Sequence, residues 1–183
     1  MLTKGLRMSN PYSTPTETND VDLAEVAQNA VRQLRIVTFA LLAGVIMFAG
    51  VTLFINNFSF DADPDIMSWI GLGFAAIMIV NSFAMPRVVA ANMIKGFAAE
   101  TSAERSDADL TNQLLSAYRT QVIIASAILE GGAFLNLTMT MITPFIGNLV
   151  AVAVLMFLMF THVPSPGKLQ FWLQDRRQEI ASL

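Results

Sequence analysis

The 183-residue sequence contains no cysteine and a single histidine. Without cysteine the chain can form no disulfide, no thiolate zinc site and no cysteine nucleophile, and one histidine excludes a multi-histidine metal site within a chain. A phosphate loop, a nucleophile elbow and a zinc-helix motif are also missing. We therefore expect a protein that is not an enzyme, with no catalytic residues, no metal, no cofactor and no nucleic-acid partner.

Charged residues are scarce as well, at 14% of the chain against 54% hydrophobic residues; an average soluble domain has about 25% charged residues. The hydrophobic residues are concentrated in four runs, at 36–55, 66–86, 121–142 and 145–163. About 20 helical residues cross a hydrocarbon core of roughly 30 Å, and backbone in lipid must satisfy its polar groups within the segment. The sequence therefore predicts an all-α fold, an integral membrane four-helix bundle in contact with the lipid bilayer.

The segments outside the runs complete the predicted organisation. Residues 1–19 are polar and interrupted by proline, which predicts a disordered N-terminal tail. Residues 20–163 form the predicted transmembrane domain, in which residues 87–120 are an amphipathic helical segment beside the membrane. Residues 164–183 predict a C-terminal amphipathic helix at the membrane surface.

Leu110, Leu114 and Tyr118 form an apolar stripe within residues 87–120. At four-residue spacing they lie on one face of a helix. The stripe is either a docking surface for a partner or a face that packs against this protein's own helices. We favour the second interpretation, because amphipathic stripes usually mark core faces.

All eleven basic residues lie before the first run, between the second and third runs, or after the fourth. The connections at 56–65 and 143–144 contain none. Because the cytoplasmic loops of membrane proteins carry an excess of Lys and Arg, both termini and residues 87–120 are predicted to be cytoplasmic. The connection 56–65, with Asp61, Asp63 and Asp65, lacks the glycine and the distal glutamate of a calcium loop, so we interpret it as a solvated outer turn.

The C-terminal helix is predicted to begin with Ser165 as its N-cap and Pro166 in the first helical position. Trp172 lies on its apolar face. The basic residues on the opposite face are Lys168, Arg176 and Arg177. Because tryptophan with flanking basic residues is typical of a helix in the headgroup region, these four residues are the predicted interfacial anchor, with modest attraction to anionic lipid.

Glu130 lies near the middle of the run 121–142 and is the one formally charged residue in the four runs. An acidic residue at this depth costs about +2.5 to +3.5 kcal/mol on insertion scales, and such residues usually face the bundle interior. Its neighbours in the sequence are small, which lets another helix approach closely. Its candidate hydrogen-bond partners are Asn81, Ser82 and Ser126, with Thr38 and Thr52 as further choices.

The segment Asn10-Pro11-Tyr12-Ser13-Thr14-Pro15 resembles an N-terminal tag found on uncharacterised small four-span bacterial membrane proteins. In that group the tag closely follows the initiator methionine, so either Met1 or Met8 is the start. The resemblance implies a protein of the bacterial inner membrane and implies no activity.

Residues 125–133, Ala-Ser-Ala-Ile-Leu-Glu-Gly-Gly-Ala, are similar to the ion-carrying helix of rotary ATPase proteolipid (c-ring) subunits. In that family a mid-membrane glutamate among small residues binds a proton or a sodium ion, which implies that Glu130 is an ion site. The chain departs from the family in two places. Only Gly71-Leu72-Gly73 remains of the family's glycine ladder, and residues 87–120 are far longer than its cytoplasmic loop.

Two functions therefore stay open. In the first, Glu130 is a protonated carboxylic acid that is hydrogen-bonded across helices, and the chain is a non-enzymatic membrane protein that self-associates or holds a membrane-protein partner. In the second, Glu130 translocates an ion or a proton in an oligomer. We favour the first, because proton relays use chains of ionisable groups and the four runs contain a single acid.

Overall fold

The computed structural model describes residues 15–61, 63–99 and 107–181. Within these ranges the chain forms five α-helices and no β-strand. The helices are α1 (Pro15–Ile55), α2 (Ile66–Ala99), α3 (Asp107–Ile142), α4 (Ile146–Thr161) and α5 (Pro166–Ala181). The predicted all-α helical bundle is confirmed.

The helix α3 is the centre of the bundle and contacts each of the other four helices. Its residues Leu129, Ala133 and Leu137 are fully buried. Side chains of α1, α2 and α4 complete one core with them, namely Val45, Ala75, Val152, Leu155 and Met159. Because lipid tails are as apolar as these side chains, close van der Waals packing holds the helices together.

Three helical stretches are each long and apolar enough to cross a membrane, namely Ala27–Ile55, Ile66–Phe97 and Ala108–Ile142. These lengths and compositions are those of a multi-pass membrane protein. The fourth predicted span, 145–163, is shorter than expected, because α4 has 16 residues and is therefore about 24 Å long. It reaches the length of a span only together with α5, from which it is bent by 70°.

One predicted boundary is wrong, and one helix continues past the end of its hydrophobic run. The helix α1 begins at Pro15, so residues 15–19 are helical; the rest of the predicted disordered tail lies outside the described residues. The helix α2 continues through Pro86 to Ala99, although the second hydrophobic run ends at that proline. Proline removes one helical hydrogen bond, but Ala90 and Ile94 are buried beyond it and hold the continuing helix in place.

A second core lies at the end of the bundle where α2 and α3 extend beyond the hydrophobic runs. Leu114 and Tyr118 of the predicted stripe are buried there, and Tyr118 packs with Leu34 of α1 and Leu169 of α5. The burial of Leu114 and Tyr118 supports the interpretation that the stripe packs against the protein's own helices, whereas Leu110 is only partly buried. We call this end the basic end, since it holds Arg35, Arg87, Arg119 and Lys168.

At the opposite end, the connection between α1 and α2 is tied to the turn between α3 and α4. The N–H of Asp61 donates to the carbonyl of Pro144 at 2.7 Å, and the N–H of Ile146 donates to the carbonyl of Asp61 at 3.3 Å. The two segments thereby form an isolated β-bridge between Asp61 and Phe145. We call this end the aspartate end, because Asp61, Asp63 and Asp65 lie there.

Asp65 caps the N-terminus of α2. Its Oδ1 accepts hydrogen bonds from the backbone N–H of Ser68 at 2.8 Å and from Ser68 Oγ at 2.7 Å. Both bonds favour the ionised carboxylate and hold the pKa of Asp65 below its ordinary value of 3.8. Ser68 is fully buried, so the cap fixes the residue at which α2 begins.

We expect Asp65→Ala to lower the melting temperature of the purified protein at neutral pH, because two donors at the start of α2 lose their acceptor. Asp65→Asn, which keeps an acceptor oxygen, should lower it less. The pKa of Asp65 is lower in the folded state than in the unfolded state. The stabilisation is therefore fully present above the unfolded-state pKa and is lost as the pH falls through the folded-state pKa. The difference between wild type and Asp65→Ala should therefore close only below about pH 4; a difference that grows on acidification would contradict the cap.

Candidate functional site

Glu130 lies at the contact between α3 and α1. A Cβ atom on Gly44 of α1 would lie 3.8 Å from Glu130 Oε1, and one turn further along α3 the ring of Phe134 packs edge-on against Phe48 of α1, with centroids 5.4 Å apart. The Glu130 side chain is half-buried. The carboxyl group is therefore placed at mid-span beside α1, at the edge of the bundle rather than at its centre.

The predicted partners of Glu130 do not bond to it. Ser82 Oγ is buried and donates to the carbonyl of its own helix neighbour Ile79 at 2.7 Å. Ser126 Oγ is buried and has no hydrogen-bond partner. Among the described residues, neither Asn81 nor any other side chain makes a hydrogen bond or ion pair with Glu130. The described residues thus leave the carboxyl without a partner.

The two glycines that follow Glu130 face different surroundings. A Cβ on Gly132 would meet Met78 of α2 at 3.1 Å and Leu155 of α4 at 3.4 Å, so Gly132 allows these helices to approach α3 closely. A Cβ on Gly131 would meet nothing within 4 Å. Gly131 and Ala127 are exposed on α3 beside Glu130, and we call these three residues the Glu130 strip. It is an exposed helix face of small residues with one half-buried carboxyl group at its edge.

A second polar group lies inside the bundle, at residues outside the predicted site. Asn136 of α3 and Asn148 of α4 are fully buried, and a Cβ on Gly71 of α2 would lie 3.1 Å from Asn136 Oδ1 and 3.2 Å from Asn148 Oδ1. Asn136 Nδ2 donates to the carbonyl of Gly132 at 2.9 Å. Asn136 Oδ1 and both amide atoms of Asn148 have no partner. Three helices therefore meet at two amides, and a Cβ on Gly71 would lie closer to both oxygens than ordinary van der Waals contact.

The signal for this amide pair was present in the sequence but ambiguous. Asn136 and Thr140 are one turn apart on α3, and both are fully buried. Thr140 Oγ1 donates back to the carbonyl of Asn136 at 2.8 Å, and Asn56 Nδ2 at the end of α1 donates to the carbonyl of Thr140 at 3.1 Å. The helical spacing places Asn136 and Thr140 on one face of α3. Spacing within one helix does not reveal that Asn148 of α4 lies beside Asn136 at Gly71.

The aromatic part of the predicted interfacial anchor packs against the bundle. Trp172 lies edge-on to Tyr118 of α3, with ring centroids 5.4 Å apart, and Arg176 Cζ lies 5.8 Å from the centroid of the Trp172 ring. Arg177 donates a hydrogen bond to Thr111 Oγ1 of α3. These contacts fasten α5 to α3, and contact of the four anchor residues with lipid headgroups stays a prediction.

Lys168 joins α5 to the end of α4. Its Nζ donates to the carbonyl of Thr161 at 2.9 Å and to that of Val163 at 3.4 Å. Its backbone N–H donates to Ser165 Oγ at 3.3 Å, and α5 begins at Pro166. The predicted N-cap and first residue of this helix are confirmed.

The three aspartates of the aspartate end line a cavity of about 140 Å³ together with Ser68 and Thr143. Asp65 Oδ1 is already used as the cap of α2. In the part of the chain that the structure describes, no group of three or more acidic or histidine side chains is arranged to hold a metal ion. The interpretation of this segment as a solvated outer turn stays a prediction.

Gly71→Ala should destabilise the protein by about 1–3 kcal/mol, because the added methyl group is forced against two buried amide oxygens. Asn148→Ala removes one of these oxygens, so the double variant should recover part of the loss, with a coupling energy of roughly 0.5–3 kcal/mol in a double-mutant cycle of unfolding free energies. Gly73→Ala is the control, since its Cβ would meet nothing within 4 Å. Strictly additive effects of Gly71→Ala and Asn148→Ala would contradict the three-helix contact.

The described side chains thus offer a lone carboxyl at the edge of the bundle, a buried amide pair and a group of cations at the basic end. They do not include a nucleophile bonded to a base or a cluster of metal ligands. Comparison of the whole chain with known protein families, with curated proteins and with solved structures finds no match.

Proposed function

We propose that this chain is a non-enzymatic, multi-pass protein of the bacterial inner membrane, and that its copies associate through the Glu130 strip. The proposal rests on one observation. The carboxyl of Glu130 lies at mid-span, is half-buried, and makes no hydrogen bond or ion pair with any described residue. A second copy of the chain supplies the missing partner.

The energetics favour an association in which packing and hydrogen bonding act together. Placing an acidic side chain at mid-membrane costs about 2.5–3.5 kcal/mol, and an interhelical hydrogen bond in a membrane returns only about 0.6 kcal/mol on average. Small residues such as Ala127 and Gly131 allow two helix backbones to approach, which adds van der Waals contact along the strip. In a two-fold arrangement each copy offers the same patch, so the two Glu130 carboxyls meet near the axis.

We further propose that the basic end faces the cytoplasm. All eleven Lys and Arg residues lie before the first hydrophobic run, between the second and third runs, or after the fourth. The connections 56–65 and 143–144 contain none. An excess of basic residues in short loops marks the cytoplasmic side of membrane proteins. Both chain termini are cytoplasmic in this arrangement.

Translocation of an ion or a proton by Glu130 is the alternative. It is supported by the similarity of residues 125–133 to the ion-carrying helix of proteolipid subunits and by the half-buried position of the carboxyl beside an open strip. The other three hydrophobic runs contain no acid, which leaves Glu130 without the relay partners that proton paths use. Self-association therefore remains the leading proposal.

Gly131→Leu should reduce self-association at least tenfold, equivalent to about 1.4 kcal/mol, because the leucine side chain stands in the Glu130 strip. The fold of the single chain should be unaffected, since nothing lies within 4 Å of the added Cβ. Subunit counting by stepwise photobleaching in vesicles, over a range of protein-to-lipid ratios, measures the effect. The matched control is Gly73→Leu, an exposed glycine of α2 that also has no neighbour within 4 Å; equal losses in both variants, or none in Gly131→Leu, would contradict the proposed interface.

Two substitutions of Glu130 separate the two functions. Glu130→Gln keeps a hydrogen-bonding group of the same size, so self-association should be retained, whereas Glu130→Leu should weaken it by about the 0.6–1.7 kcal/mol of one membrane hydrogen bond. Proton and sodium flux into liposomes is measured on the same preparations. Flux in the wild type that Glu130→Gln abolishes would favour translocation, and an absence of wild-type flux would exclude it.

A further inference from the structure

A cavity of about 420 Å³ lies at the basic end, enclosed by α2, α3, α4 and α5. The 70° bend between α4 and α5 turns α5 across this end of the bundle and leaves the space open beneath it. The inner wall is largely apolar and includes Val122, Ala125 and Trp172. The cavity is separate from the Glu130 strip and from the buried amide pair.

Basic side chains lie on the rim of this cavity. Arg87 of α2, Lys168 of α5 and His162 at the end of α4 all line it, against one acid, Asp175. Asp175 Oδ2 lies 3.8 Å from Arg176 Nε, and the same guanidinium also pairs with Glu179, so the Asp175 charge is only partly offset. The rim therefore carries a net positive charge and favours an anion.

The basic side chains of this rim form no ion pair with the described residues. Arg87 makes no hydrogen bond or ion pair with another described residue. Lys168 directs its Nζ at two carbonyls, those of Thr161 and Val163, which leaves its positive charge without an acid beside it. Gln121 lines the same cavity, although its Oε1 is buried away from it. The site thus presents two cations whose charge no acid of the rim pairs with directly.

The depth of the cavity is set by the sequence. Arg87 directly follows the second hydrophobic run, Gln121 begins the third, and His162 lies at the end of the fourth. Three hydrophobic runs therefore end at this cavity, and the sequence predicts that their ends lie near the level of phospholipid phosphates. Phe83 and Phe171, which are 41% and 75% exposed, line the cavity toward the surface and are available to an acyl chain.

We propose that this cavity binds an anionic phospholipid. Its phosphate is held by Arg87 and Lys168, and one acyl chain lies along Phe83 and Phe171. Arginine and lysine bind phosphate oxygens through charge-assisted hydrogen bonds. The phosphate is the shared chemistry of a lipid headgroup and free phosphate, and the apolar wall favours the lipid.

The protein contains two tryptophans, and Trp172 lines the cavity. Trp69→Phe therefore leaves Trp172 as a single fluorescent probe of the site. The variant is reconstituted in phosphatidylcholine vesicles that contain a small fraction of either phosphatidylglycerol or phosphatidylcholine with brominated acyl chains. At equal mole fraction the brominated phosphatidylglycerol should quench Trp172 several-fold more strongly, and equal quenching by the two lipids would overturn the proposal.

Arg87→Gln, added to Trp69→Phe, should reduce the preference for phosphatidylglycerol about fivefold, the effect expected for one basic residue near an anionic membrane surface. Arg87→Lys should restore most of it. The matched control is Lys95→Gln, which removes one positive charge from the same exposed helix but does not line the cavity. If Lys95→Gln lowers the preference as much as Arg87→Gln, the attraction is a diffuse surface effect and the site is wrong.

Inorganic phosphate at millimolar concentration distinguishes the two sources of the anion. It should leave the quenching by brominated phosphatidylglycerol unchanged; displacement of the lipid by phosphate would overturn the assignment to a phospholipid. Circular dichroism and thermal unfolding of each variant verify that the fold is retained. Lys168→Gln provides a second variant at the site, and it too should lower the preference.

Discussion

Close approach of helices at residues that have little or no side chain is the constraint on which this structure depends. At Gly132 the helices α2 and α4 come within contact of the α3 backbone, and at Gly71 two buried amides do the same to α2. Hydrophobic burial cannot drive such contacts in lipid, so the number of atoms brought into van der Waals range decides the stability. The helix α3 contains Gly132 and contacts all other helices, so it occupies the centre of the bundle.

The sequence was sufficient for the helical class and for the position of most helices, because long apolar runs leave helix as the practical solution in lipid. It was insufficient where packing overrides local preference. Proline disfavours a helix interior, yet α2 runs through Pro86, with Ala90 and Ile94 buried beyond it. The length of α4 was overestimated, because apolar residues on both sides of it belong to turns.

Glu130 was identifiable from composition alone, as a single acid among 22 residues of an otherwise uncharged run. Its surroundings were not, because the rotation of each helix about its own axis decides which residues meet, and sequence spacing fixes only which residues share a face. Ser82 and Ser126 have the right chemistry, but one is bonded to its own helix and the other has no partner. Similarly, Asn136 and Asn148 meet through the packing of two helices that no local pattern links.

The β-bridge between Asp61 and Phe145 has a mechanical consequence. It joins the two connections at one end of the bundle by backbone hydrogen bonds, while the other end is held by side-chain contacts and by a bent helix pair. Any separation of the α1–α2 connection from the α3–α4 turn must therefore break both of these backbone hydrogen bonds.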